Sequence, residues 1–374
     1  MGKGFDHKGK GNSVRATPSF RENVVFASGK DGYHTYRIPA VLVSQAGTVL
    51  AICEGRRNSR SDHGDIDLLL KRSTDGGQTW SAQQMIYGEP GEITIGNPCP
   101  VVDKDTGAIW MAFTRDNDDV LVTHSEDDGT SWAKPVVITA AVKPPDWVWY
   151  ATGPVNGIQI RSGPHRGRLV LPCDHRVKAR DEWNTGGHSH AIYSDDHGRT
   201  WRLGKATGRS MNECTVAELS GGSLMLNMRS YRGRHLRAVA VSEDGGETWS
   251  TPVDDPVLVE PVCQASLLRY TAEAEGGGNR MLFSNPASER REKMTVRLSY
   301  DEGKTWPVAK LLHAGPSAYS CLTALPDGCA GCLYEGGEAD PYETIRFARF
   351  NLEWLTDGAD CLTPLSSPDT DGRS

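Results

Sequence analysis

Apolar residues in this chain come in short runs separated by polar turns. "IDLLLKR", "DVLVTH", "SHAIY", "RAVAV" and "MTVRL" are such runs, and "RLVLPC" and "GSLMLNMRSY" alternate in the same way. Alternation over four to eight residues predicts strands, and no long 3.6-residue periodicity competes with it. Each of the first five runs leads into one turn pattern, S-x-D-x-G-x-[TS]-W. The copies are "STDGGQTW" at 73, "SEDDGTSW" at 125, "SDDHGRTW" at 194, "SEDGGETW" at 242 and "SYDEGKTW" at 299. In each copy the aspartate can accept backbone N–H groups of the turn, the glycine can take a positive φ, and the tryptophan can bury its ring beside the hairpin. Repeats of this length, built of short strands and tight turns, predict an all-β fold, a β-propeller. Five boxes mark five blades. "ENVVFAS" near the start and "TIRFARFNLEWL" near the end would close a sixth. The boxes are scaffold, so they fix fold class and leave function open. The expected organisation is a loose segment over 1–20, a propeller over 21–356 and a polar Pro/Ser-rich tail over 357–374.

Composition narrows the functional classes. The 374 residues carry a net charge of −7, which argues against nucleic acid as the main partner. Mean hydropathy is −0.48, and no apolar run approaches the roughly 18 residues of a membrane span. The first residues, "MGKGFDHKGKGNSVRATPSF", contain no apolar h-region, and their context is poor for myristoylation. Nine cysteines, scattered through strand-like runs, read as buried free thiols. With the missing leader they favour a cytoplasmic chain over an exported mature form. "CAGC" at 329–332 has no second pair nearby to complete a metal site.

The informative polar residue is Arg37, set in "TYRIPA" just before the strand-like "AVLVS". An arginine buried in such a run is costly unless an anionic group meets it. The early "YRIP", the following "DHGDIDL" and the boxes together resemble the sialidase (neuraminidase) family of exo-glycosidases, of the bacterial and animal type with Asp-box repeats. The resemblance covers about residues 20 to 355. It implies a six-bladed propeller and a retaining exo-α-sialidase acting on terminal sialic acids of oligosaccharides, glycoproteins or glycolipids.

The substrate carries a carboxylate on its anomeric carbon, and a planar guanidinium matches a carboxylate in a fork. By motif and order, the resemblance assigns the arginine clamp to Arg37, Arg229 in "LNMRSY" and Arg297 in "TVRLSYDEG", with Glu335 in "CLYEGG" bracing the first. It makes Tyr319 in "AYSCL" the nucleophile. A phenol approaches a carbon beside a carboxylate without charge repulsion, but needs a base to take its proton. Glu213 in "NECTVAEL" fits that base, with Glu218 as its rival. Asp62 in "SRSDHGDIDL" fits the acid/base, with Asp65 and Asp67 as rivals. Arg56, with Arg57 beside it, Asn97 in "GNPCP", and the aromatics Trp147, Trp149 and Tyr150 are the expected lining of the sugar pocket.

This chemistry requires no metal or organic cofactor. The histidines of "GHSHA" at 187–191 lack a third ligand and read as structural, and "AEAEGGGNR" reads as a hairpin tip. The clamp reads a carboxylate shared by several substrates. The alternatives are therefore a trans-sialidase, a hydrolase of a related keto-sugar acid such as deaminated sialic acid, or a glycan-binding propeller without catalysis. Sequence leaves linkage preference and oligomeric state open.

Overall fold

The computed structural model describes residues 16–177, 185–273 and 277–362. The expected N-terminal segment therefore lies almost wholly outside the described residues, as does the tail from 363. Residues 357–362 are described, and they pack back on the body. Asp360 takes a fork from Arg280 at 2.7 Å, and Leu362 lies against an apolar cluster of the last sheet.

The fold is all-β. Strand β1 (Phe20–Ala27) comes first and joins the last sheet. The first sheet holds β2 (Thr35–Val43), β3 (Val49–Arg56), β4 (Ile66–Ser73) and β5 (Gln84–Tyr87). The second holds β6 (Ile95–Val102), β7 (Ile109–Arg115), β8 (Asp119–Ser125) and β9 (Val136–Val137). The third is built of β10 (Trp147–Thr152), β11 (Ile158–Gln159), β12 (Leu169–Val177), β13 (Gly187–Ser194) and β14 (Arg202–Leu203). The fourth contains β15 (Met211–Glu218), β16 (Leu224–Ser230), β17 (Leu236–Ser242) and β18 (Val253–Val259). A seven-stranded sheet follows, with β19 (Ser266–Thr271), β20 (Arg280–Pro286), β21 (Glu292–Ser299), β22 (Val308–Ala324), β23 (Ala330–Gly336), β24 (Thr344–Phe350) and finally β1. All pairings between these strands are antiparallel. The 17-residue β22 pairs β21 with its first half and β23 with its second, so this sheet is two four-stranded meanders sharing one strand. The expected closure of the last meander by both chain ends is present, since Phe20 pairs Phe350 and Ala27 pairs Thr344.

Apolar clusters run from each sheet to the next. Leu50, Ile52 and Leu70 of the first meet Ile109, Met111 and Phe113 of the second, while Val41 and Cys53 meet Leu333, Ile345 and Phe347 of the last. Fully burying such a side chain contributes about 1.5–3 kcal/mol. All nine cysteines are free thiols and seven of them are buried, which accords with the sequence reading.

The five boxes share one geometry. In each, the serine is the last residue of its strand (β4, β8, β13, β17 or β21). It bonds the aspartate and accepts the N–H of the glycine, while the aspartate accepts the N–H and hydroxyl of the following Thr or Ser. Gly77 shows why glycine is required. Its φ is +86°, and a Cβ there would lie 2.1 Å from the Phe347 ring. The adjacent Trp80 meets that ring edge-on at 5.4 Å, so the first box is pressed against the last sheet.

Topology now separates two ends. In the first, second, fourth and fifth units, the third strand runs toward its box. The start of the first strand, the end of the second and the loop between second and third therefore share the opposite end. Inner strands break register there, at Arg37/Ala40 in β2, Gly96/Cys99 in β6, Met211/Cys214 in β15 and Ser317/Ser320 in β22. Such bulges re-aim side chains.

Candidate active site

Arg37 opens the bulge in β2. Ile38 sits at φ 61°, a strained conformation for a β-branched residue, and its N–H reaches Glu335 Oε1 at 2.9 Å. The same oxygen takes Arg37 Nε at 2.7 Å, and Oε2 takes the Tyr319 N–H at 3.1 Å. Glu335, at the end of β23, is fully buried, and these three bonds satisfy it. It ties the first sheet to the last while orienting the arginine. Burial alone would lower the Arg37 guanidinium, but Glu335 and the facing tyrosines Tyr342 and Tyr319 hold it well above its usual value.

Tyr319 enters from the second half of β22. Its hydroxyl donates to Glu213 Oε1 at the start of β15. Arg229, at the end of β16, sends Nη1 to Glu213 Oε2 at 2.6 Å and to the Tyr319 hydroxyl at 3.2 Å. The phenol, the carboxylate and the guanidinium form a closed triangle. Burial and Glu213 push the Tyr319 phenol well above its usual value, against the pull of Arg229 and Arg291, so it is neutral at rest.

Asp62 lies across the cleft in the loop 57–65, which Arg57 closes through its N–H to the Asp65 carbonyl (3.0 Å). Its Oδ1 accepts Arg56 Nη1 at 2.7 Å and lies 3.7 Å from Arg37 Nη1. Dense walls desolvate it and push its pKa up, although the side chain itself is 76% exposed; Arg56 and then Arg37 outweigh this and hold it below the usual carboxylate range. Arg56 is also gripped by Glu54, whose other oxygen takes the Asn97 N–H at 2.9 Å. The rivals are used elsewhere. Asp65 pairs with Arg57, and Asp67 with Arg57 and the Tyr33 hydroxyl. Glu218 stands at the far end of β15, where it binds the N–H groups of Arg161 and Ser162.

Glu54, Arg56, Asp62, Glu213, Arg229 and Tyr319 open onto a cleft of about 260 Å³, lined also by Asn97, Trp149, Arg176, Asn212 and Tyr231. The structure thus brings Arg37, Asp62, Glu213, Arg229, Tyr319 and Glu335 together, with Arg56 and Asn97 beside them.

Two expectations need correction. Arg297 is not in this cluster. It lies two residues before the box serine Ser299, opposite Ala309 and Phe283, with Asp255 as its nearest influence. The third arginine beside Tyr319 is Arg291, just before the other end of that strand, its Cζ 5.6 Å from the ring centroid. Six strand residues span roughly 20 Å, so one cannot replace the other. Tyr150 does not line the cleft either. It is fully buried behind the wall, its hydroxyl 3.0 Å from His190 Nε2, and its neighbour Trp149 faces the pocket instead. Trp147 stacks on His175. His190 is pushed down to about 3 by burial and by His188, in keeping with a structural role for "GHSHA".

Sequence reading missed Arg291, Glu54, Arg176, Tyr231 and Tyr342. A signal for Arg291 existed. A residue two before a box serine must sit at the box end, whereas "SERREKM" is where β21 begins.

A BNR repeat-like domain model matches residues 47–332. A sialidase of Aspergillus fumigatus, an exo-alpha-sialidase by name, is 32% identical over 87% of this chain and 86% of its own length. This chain belongs to the sialidase family. A Micromonospora viridifaciens sialidase is 38% identical over 94% of the chain, yet the chain spans only 56% of that protein's length. The solved structure of a Hadza microbial sialidase superposes with a TM-score of 0.79 at 33% identity, covering 89% of this chain and 69% of the other.

Proposed function

We propose that this sialidase-family chain is a retaining exo-α-sialidase, built as a six-bladed propeller over about residues 21–356, that releases terminal α-linked sialic acid through a tyrosyl intermediate. The four separate sheets and the two meanders joined by β22 supply six units of four or five strands in a row, with apolar contact from the last back to the first. The observation that carries the chemistry is the triangle of Tyr319, Glu213 and Arg229 at the floor of an arginine-lined cleft, with Asp62 on its rim.

In this reading Arg37, Arg229 and Arg291 take the substrate carboxylate. Asp62 protonates the departing glycosidic oxygen. Glu213 accepts the Tyr319 proton as the phenolic oxygen attacks the anomeric carbon, and Arg229 stabilises the charge developing on that oxygen. Water then gives a proton to Asp62 and attacks the same carbon. The tyrosyl oxygen leaves and recovers its proton from Glu213. Two inversions give retention. An arriving carboxylate competes with Asp62 for Arg37 and favours the protonated acid that the first step needs.

The test is release of the aryl group from an aryl α-glycoside of N-acetylneuraminic acid, with the anomer first formed followed by NMR, beside Tyr319→Phe and with an acceptor sugar added. The reading expects the α anomer first and loss of most turnover in the variant. Wild-type turnover in Tyr319→Phe removes the nucleophile, and transfer dominating over water moves the reading to a trans-sialidase. An inert wild type points to another keto-sugar acid.

A further inference from the structure

We infer that Tyr342 is a positioning residue that aligns two of the three clamp arginines without neutralising either; the inference rests on the clamp reading above. Tyr342 lies in the loop between β23 and β24. The Arg37 guanidinium carbon stands 3.9 Å from its ring centroid, and its hydroxyl accepts Arg291 Nη1 at 2.5 Å. The ring also packs on the buried group of Ile38, Cys263, Ala318 and Tyr319. One side chain therefore touches Arg37 through its π face and Arg291 through its oxygen.

The loop is built to hold that ring still. The Glu343 carboxylate collects the N–H groups of Glu338, Ala339 and Asp340 at 2.9, 3.0 and 3.1 Å. The Tyr342 N–H goes to Asp340 Oδ1 at 2.9 Å, and its carbonyl accepts Ser28 Oγ at 2.7 Å. Arg60, from the Asp62 loop, reaches Asp340 at 3.3 Å.

Charge explains why a tyrosine suits this place. Arg37 is braced by Glu335 and Arg229 by Glu213. Among the described residues no carboxylate forms an ion pair with Arg291, and Tyr342 is the one hydrogen-bond partner of its side chain. A carboxylate brace at Arg291 would orient it but cancel the positive charge a substrate carboxylate needs. A phenol accepts the N–H and leaves the full charge in place, while its ring attracts the second guanidinium.

The experiment compares wild type, Tyr342→Phe, Arg291→Ala and the double variant on the aryl sialoside, with the Kd of an unreactive carboxylate-bearing analogue measured by calorimetry. Tyr342→Phe keeps the ring under Arg37 and removes only the hydroxyl. It should raise KM and the analogue Kd roughly 5- to 10-fold, with kcat and thermal midpoint near wild type, the size of one ordinary hydrogen bond, since Arg291 itself stays in place. In the Arg291→Ala background the same substitution should change neither constant. Tyr342→Leu should weaken binding further, since Arg37 loses its platform too. An active wild type with Tyr342→Phe unchanged, or with the same penalty in both backgrounds, overturns the inference. A wild type that neither turns over the sialoside nor binds the analogue overturns the functional reading instead.

Discussion

Strand β15 carries a glutamate at each end, and the two do opposite work. Glu213 faces a guanidinium and a phenol across a cleft. Glu218, five residues on, is consumed by the backbone N–H groups of Arg161 and Ser162 and by the Ser162 hydroxyl at 2.6 Å. The two ends of β21 repeat the lesson with arginines, since Arg291, just before its first residue, lies against the Tyr319 ring and Arg297 lies near a box. At the box end polar groups satisfy the chain that carries them. At the cleft end they are set against other charged or phenolic side chains, some from other sheets, and part of them borders the cleft. An antiparallel meander makes this division, because every bulged first-strand start meets every second-strand end on one side and every box lies on the other.

The glutamates give the largest contrast. Glu213→Gln should lower kcat by about 10²- to 10⁴-fold, the range of general acid–base assistance, with little change in thermal midpoint. Glu218→Gln should leave kcat/KM alone and cost about 1–2 kcal/mol in denaturant unfolding, as one of its two acceptor oxygens becomes a donor facing a backbone N–H. Loss of turnover in Glu218→Gln, with Glu213→Gln active, would reverse the assignment of the two ends.

The arginines come next. Arg291→Ala should reduce kcat/KM by roughly 10- to 150-fold, the equivalent of about 1.5–3 kcal/mol for hydrogen bonds to a charged group. Arg297→Ala should leave kcat/KM within about twofold. Its Nε has no hydrogen-bond partner among the described residues, and burial pushes its pKa down, so little is lost by removing it.

How much of this was legible follows the same division. The boxes were fully readable, because each is a local motif whose bonds span four residues. The triangle and the Glu335 brace were readable only through the resemblance. Tyr319 and Glu213 are 106 residues apart, and nothing local announces that they touch. Arg297 was misassigned because motif order was used without strand direction. Counting back from the box serine places it at the scaffold end. Tyr150 was misplaced for a related reason. Neighbours on a strand face opposite sides, so of Trp149 and Tyr150 only one can line the cleft, and alternation alone does not say which. Tyr342 gave no sequence signal, since its role comes from a loop in the last meander meeting β2 and the start of β21.

The box end should yield the smallest effect, and one confined to acid. Hydrogen bonds from Thr79 and Ser131 hold the Asp75 and Asp127 carboxyls at about 2, below the ordinary value of 3.8. A carboxyl depressed in the folded state stabilises it fully above the unfolded pKa. That contribution fades as pH falls through roughly 4 toward 2. Both groups face solvent, so screening keeps the effect modest. The Asp75→Asn, Asp127→Asn double variant should therefore unfold at lower denaturant than wild type at pH 7, by about 1 kcal/mol or less per box as for a lost capping bond. The deficit should shrink steadily between pH 4 and 2, because wild type loses there what the variant never had. A deficit constant across that window would mean that the aspartates act through shape alone, and that the contrast between the two ends is not one of charge.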